Sequence, residues 1–127
     1  MGLDMILEKV QETGELTIMQ EAMYWRKAYS IMDWFCTRIN KRYYNNETKG
    51  IHNCAIYTFS SEELKELINW CKKFIKNPEK AMDEITSYWY EERWRDYEIN
   101  QCERTIDELG ELVNDDNISY FAFHGWW

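Results

Sequence analysis

Trp25, Arg26 and Lys27, followed at helical spacing by Trp34, Arg38, Lys41 and Arg42, are the residues of this chain best suited to hold an anion. An arginine grips a phosphate or carboxylate with two parallel N–H bonds, and an indole or phenol ring stacks on a base. Trp25, Arg26, Lys27, Trp34 and Arg38 therefore form a candidate site for a phosphate-bearing small molecule such as a nucleotide signal. The plainer reading pairs Arg26 with Asp33 or an acid of the last helix and leaves the tryptophans in the core.

A second set is acidic. Residues 79–116 hold 13 acids and four bases, whereas residues 15–49 hold six bases and four acids. Glu91, Glu92, Glu103 and Asp107 could present carboxylates to a basic groove, as a nucleic-acid mimic does. Trp94, Trp126 and Trp127 would supply aromatic anchors for the same partner protein. The alternatives are a solvated helix face and a second small core formed by the tail. The third set is His52 and Cys54, a weak metal or nucleophile signal against a loop histidine beside a structural cysteine. There is no Gly-rich phosphate loop, HExxH or GxSxG. The reading is of a binder, not an enzyme, with no cofactor and no metal.

The 127 residues suit one domain, large enough to hold a core without metal or disulfide. A net charge of −8 disfavours direct nucleic-acid binding. The 21 aromatic residues exceed what a small core needs, which leaves some for a surface, a pocket or a homo-oligomer contact. Four cysteines without a CxxC pair, no signal peptide and no apolar run long enough for a bilayer point to the cytoplasm.

Periodicity predicts a mainly α fold, a small helical domain around one long central helix. Leu3, Ile6, Leu7 and Val10 predict a short helix within residues 1–14, ended by Gly14. Ile18, Ala22, Trp25, Tyr29, Met32, Cys36 and Ile39 step by four and three, which predicts the central helix over 17–42. Thr17 and Gln20 fit a capping box at its start. Ser60 and Glu63 make a second box before Leu64, Leu67, Ile68, Cys71, Phe74 and Ile75, predicting a helix over 61–76. Pro78 opens an acidic helical region over 79–113, in which 86–97 follow no single period. Residues 118–123 of the aromatic tail, 118–127, can pair with 56–59 as a short two-stranded ribbon.

Tyr24-Trp25-Arg26-Lys27-Ala28, followed by Ile31 and Trp34-Phe35, resembles the signature of a family of small tailed-phage proteins of uncharacterised function. Cys54 leading to Ser60-x-x-Glu63-Leu64, Leu67 and Cys71 fits the same pattern. So does a last helix from Asp96-Tyr97-Glu98 to Thr105-Ile106-Asp107-Glu108-Leu109. The resemblance covers most of residues 15–113. It departs at 85–94, where the family tends to carry Gly and Phe. It implies a phage or prophage origin and a helical fold, and supplies no catalytic residues. In that context the expected role is to inhibit or sequester a host factor, such as a defence protein, in the host cytoplasm. The small-molecule pocket is the alternative, and an enzyme using His52 and Cys54 the weaker one.

Overall fold

The computed structural model describes residues 2–43 and 53–127. Four strands and four α-helices alternate in part along the chain. They are β1 (Asp4–Thr13), β2 (Leu16–Arg26), α1 (Tyr29–Tyr43), β3 (Tyr57–Phe59), α2 (Ser61–Lys76), α3 (Pro78–Asp83), α4 (Arg95–Leu109) and β4 (Tyr120–Trp126). The strands form one antiparallel sheet in the order β2-β1-β4-β3. This corrects the mainly α expectation: the fold is mixed α and β, and no single helix is its axis.

The correction begins at Gly14. Its φ of +66° belongs to a hairpin turn and not to a helix end. Thr13 pairs with Leu16 across the two-residue turn Gly14-Glu15, the kind of loop in which glycine supplies the positive φ that joins twisted strands. Met5 and Leu7 then alternate inward along β1 with Leu3 before them. The set Leu3, Ile6, Leu7 and Val10 satisfies a helical period only while Met5 is ignored. Thr17 is a strand residue paired with Glu12, not a helix cap.

The expected central helix is two elements. β2 ends at Arg26, Lys27 takes a left-handed φ of +55°, and α1 starts at Tyr29. Such a φ is uncommon for a residue with a Cβ. Lys27 is held there by its N–H, which donates to the Leu3 carbonyl at 2.6 Å. Ile31, Met32, Phe35 and Ile39 of α1 are buried. Phe35 stacks on Phe123 at 3.8 Å between ring centres and meets Phe59 edge-on at 5.1 Å.

The helix expected over 61–76 spans Ser61–Lys76, with both halves of the capping box made. The Glu63 N–H donates to Ser60 Oγ at 3.2 Å, and the Ser60 N–H donates to Glu63 Oε1 at 3.1 Å. Its buried face is Leu64, Leu67, Ile68, Trp70, Cys71 and Phe74. Pro78 does open a helix, whose start Asn77 caps through a bond from the Lys80 N–H.

The ribbon expected between 56–59 and the tail is part of the larger sheet. Tyr57 pairs with Phe123 and Phe59 with Phe121. β4 is an interior strand, and Phe121 and Phe123 are fully buried. The tail is therefore core at Ile118 and from Phe121 to Phe123. Among the described residues no helix is long and apolar enough to cross a membrane.

Candidate functional site

The bend at Lys27 sets Arg26, Lys27 and Tyr29 on one side of a pocket, and Trp94 and Tyr97 close it from the start of α4. The pocket is about 350 Å³. Arg26 and Lys27 are exposed, and no ion pair among the described residues includes either. Trp94 and Tyr97 are 45% and 40% exposed, large values for side chains of this size. Two cationic residues and three aromatic ones thus line one cavity, a set suited to an anionic group attached to a flat ring.

Two buried carboxylates hold the walls. Glu98, one residue after Tyr97, reaches the start of α1. Its Oε2 accepts the Tyr29 N–H at 3.0 Å, and its Oε1 accepts the Ser30 N–H at 3.0 Å and the Ser30 hydroxyl at 2.6 Å. It satisfies orphan donors of that helix terminus from another element. Burial pushes the Glu98 carboxyl above the usual range, against the pull of the three bonds. The Tyr97 hydroxyl donates to the Arg26 carbonyl and ties α4 to the end of β2.

Asp33, one turn into α1, gathers the segment before the pocket. Its Oδ1 accepts the N–H groups of Tyr88 and Trp89 at 3.0 and 2.9 Å, and its Oδ2 that of Tyr90 at 3.0 Å. Within residues 86–97, which follow no period in sequence, residues 88–90 are held by this one side chain. Trp89, so fixed, stacks parallel to Tyr29 at 6.4 Å and meets Trp127 edge-on at 5.5 Å. Burial raises the Asp33 carboxyl to about 6; the three N–H bonds oppose it and the Glu98 charge adds to it.

Of the five residues expected to bind the ligand, the structure places only Arg26 and Lys27 in this pocket. Trp25 is fully buried, its Nε1–H donating to Thr105 Oγ1 at 2.9 Å, and so belongs to the core. Trp34 and Arg38 line a different groove between α1 and α2, with Lys41, Glu66, Trp70 and Lys73. There Arg38 pairs with Glu66 and lies 4.9 Å over the Trp34 ring. Arg26 does not pair with Asp33, whose oxygens are taken by the backbone.

The acidic residues are dispersed. Glu91 pairs with Arg93 at 2.6 Å and Glu92 lies 3.8 Å from Arg95, while Glu103 and Asp107 are exposed on α4. Trp94, expected on a partner surface, is a pocket wall. Trp126 is half-buried in β4 beside His124, and Asn53 bonds both the N–H and the carbonyl of Trp127. His52 lies outside the described residues. Cys54 is exposed, its Sγ 3.6 Å from Asn53 Oδ1, and Cys36, Cys71 and Cys102 are buried. Among the described residues no group of three or more His, Cys, Asp or Glu is placed to hold a metal ion.

Tyr29 and Tyr97 were missed from the sequence. Neither was marked as a ligand residue by the patterns that contain it; they meet because Glu98 and the Tyr97 hydroxyl dock α4 against the junction of β2 and α1. No family model, curated protein or solved structure matches the chain.

Glu98→Gln keeps a single acceptor oxygen where two are used. It is expected to destabilise the fold by about 1–3 kcal/mol, the usual cost of an unsatisfied buried donor. Urea denaturation followed by circular dichroism measures it, and an unchanged midpoint would show that the α1 start finds other acceptors.

Proposed function

We propose that the protein binds a small phosphate-bearing molecule that carries an aromatic ring, of mononucleotide size, in the pocket of Arg26, Lys27, Tyr29, Trp94 and Tyr97. The observation that carries this reading is the meeting around one cavity of two exposed cations, neither in an ion pair among the described residues, with three aromatic side chains. Arg26 and Lys27 take the phosphate, Arg26 through its two-pronged guanidinium. Trp94 and Tyr97 take the ring, by stacking or by edge contact. At about 350 Å³ the pocket lies near the small end of the roughly 300–1,000 Å³ of ligand sites, which favours a single nucleotide over a polymer. The walls are preformed by the bonds of Asp33 and Glu98, which lowers the ordering cost of binding.

The partner-protein reading has less support. Glu103 and Asp107 are exposed, but Trp127 is bonded to Asn53 and meets Trp89 edge-on within the fold, and Trp94 belongs to the pocket.

Calorimetric titration with purine and pyrimidine nucleoside 5′-monophosphates, the matching nucleosides and inorganic phosphate tests the proposal. A monophosphate is expected to bind at least tenfold more tightly than its nucleoside or phosphate alone. Failure of every monophosphate, or equal affinity for nucleoside and monophosphate, would overturn it.

A further inference from the structure

We propose that the free edge of β2 receives the β2 of a second copy of this chain, antiparallel, so that two sheets become one across a two-fold axis near Met19. β2 is an edge strand, paired with another strand on one side only; α4 bonds it at its far end, where the Tyr24 and Arg26 carbonyls accept from Arg104 and the Tyr97 hydroxyl, outside Leu16–Glu21. Leu16, Ile18, Met19 and Tyr24 are 66%, 41%, 49% and 38% exposed, so β2 carries four of the seven large exposed apolar side chains among the described residues. Trp94 and Tyr97, two of the other three, line the pocket. Beyond Val10, β1 no longer pairs with β4, and the Glu12 N–H donates instead to Ser119 Oγ at 3.0 Å.

Edge strands are normally protected by lysine, proline or very short length. β2 runs for 11 residues with neither lysine nor proline. Its irregularity lies at Ala22, where Leu7 pairs with Met23 but Glu8 with Glu21, which leaves Leu16–Glu21 as a regular ladder.

Two features select a second copy as the occupant. The first is charge. The protein carries −8 overall, so two copies repel unless they meet where acids are sparse; β2 holds one acid, Glu21, and one base, Arg26. The second is shape. Met19 shares a sheet face with its partner Val10, and the adjacent Ile18 lies on the other face with Gln11. An added strand must therefore be apolar on both faces and nearly uncharged, as β2 itself is. An antiparallel edge pairing is self-complementary under a two-fold axis. An axis at Met19 sets Met19 against its copy, Ile18 against Gln20, and Thr17 against Glu21, with no two acids opposed. Arg26 and Lys27 lie outside this ladder, so the pocket stays open.

Sedimentation equilibrium over a range of protein concentrations tests the proposal. The wild type is expected to form a dimer, and Met19→Lys to weaken it at least tenfold. Met19→Glu is expected to do the same, and an equimolar mixture of the two variants to restore association. Both side chains would be exposed, and circular dichroism checks that the fold is unchanged. A wild type that is monomeric throughout, a dimer indifferent to Met19→Lys, or a mixture no better than either variant alone would overturn it.

Discussion

Reversing both pocket cations, as Arg26→Glu with Lys27→Glu, is expected to weaken binding of a nucleoside 5′-monophosphate by at least about 100-fold while leaving the fold intact. Hydrogen bonds to charged groups are worth about 1.5–3 kcal/mol each, and about 1.4 kcal/mol is tenfold in affinity. Removing two such contacts supplies the expected loss, and the introduced like charges add to it. Both side chains are exposed and neither enters an ion pair among the described residues, so little folded-state energy goes with them. Lys27 allows a sharper version. Its φ of +55° costs a residue with a Cβ about 1 kcal/mol or more, a cost glycine avoids. Lys27→Gly is therefore expected to hold or raise the urea midpoint while weakening the ligand about tenfold. A strained lysine whose replacement lowers affinity but not stability would be retained for binding.

Asp33→Ala is expected to cost about 3–9 kcal/mol of stability and to loosen the pocket with it. Three N–H groups, of Tyr88, Trp89 and Tyr90, lose their acceptor, at about 1–3 kcal/mol for each unsatisfied group. That is a large share of the roughly 5–15 kcal/mol that holds a domain together. Trp89 then loses the anchor of its stack on Tyr29, so ligand affinity falls even in the molecules that remain folded.

The pH dependence of Asp33 separates burial from hydrogen bonding. Its carboxyl rises from an ordinary 3.8 to about 6, because burial disfavours the charge more than three N–H donors favour it. Between these values the folded protein binds more protons than the unfolded chain. The contribution of this group to stability is therefore full below about pH 4 and is lost as pH rises through about 6. Two pKa units correspond to about 3 kcal/mol. Urea midpoints of wild type and Asp33→Asn, compared between pH 7 and 4, should show the wild type gaining on the variant as pH falls. A wild type that loses ground over that range would mean the N–H donors prevail.

What could be read in the sequence followed from how local the signal was. Ser60, Glu63 and the apolar spacing from Leu64 to Phe74 lie within one helix, and α2 forms where they predict it. The pairing of 56–59 with the tail was visible because both runs are β-favouring and lack a helical period. The hairpin of β1 and β2 was obscured because Leu3, Ile6, Leu7 and Val10 fit a period of 3.6, while the inward alternation rests on Met5. Past Gly14, the stepping of Ile18, Ala22 and Trp25 continues into the true helix at Tyr29, and Lys27 is not a residue type that marks a break. The left-handed bend comes from the Leu3 carbonyl, which no local window contains.

The site divided in the same way. Arg26 and Lys27 stood out as adjacent cations beside aromatics. Trp34 and Arg38 were added to them on the assumption of one continuous helix, and the bend at Lys27 removes that assumption. Tyr97 and Trp94 come from about 70 residues away. The bonds of Glu98 with the Tyr29 and Ser30 N–H groups, of Tyr97 with the Arg26 carbonyl, and of Thr105 and Arg104 with β2 place them there.

The most direct test is to follow the tryptophan indole N–H resonances by NMR while a nucleoside 5′-monophosphate is added, with Trp94 assigned through Trp94→Phe. The Trp94 indole and the backbone amides of Arg26 and Lys27 should shift together and saturably. Trp34 and Trp70, in the separate groove of α1 and α2, should stay still. Shifts at Trp34 and Trp70 without Trp94, or none with any monophosphate, would contradict the assignment of this pocket as the binding site.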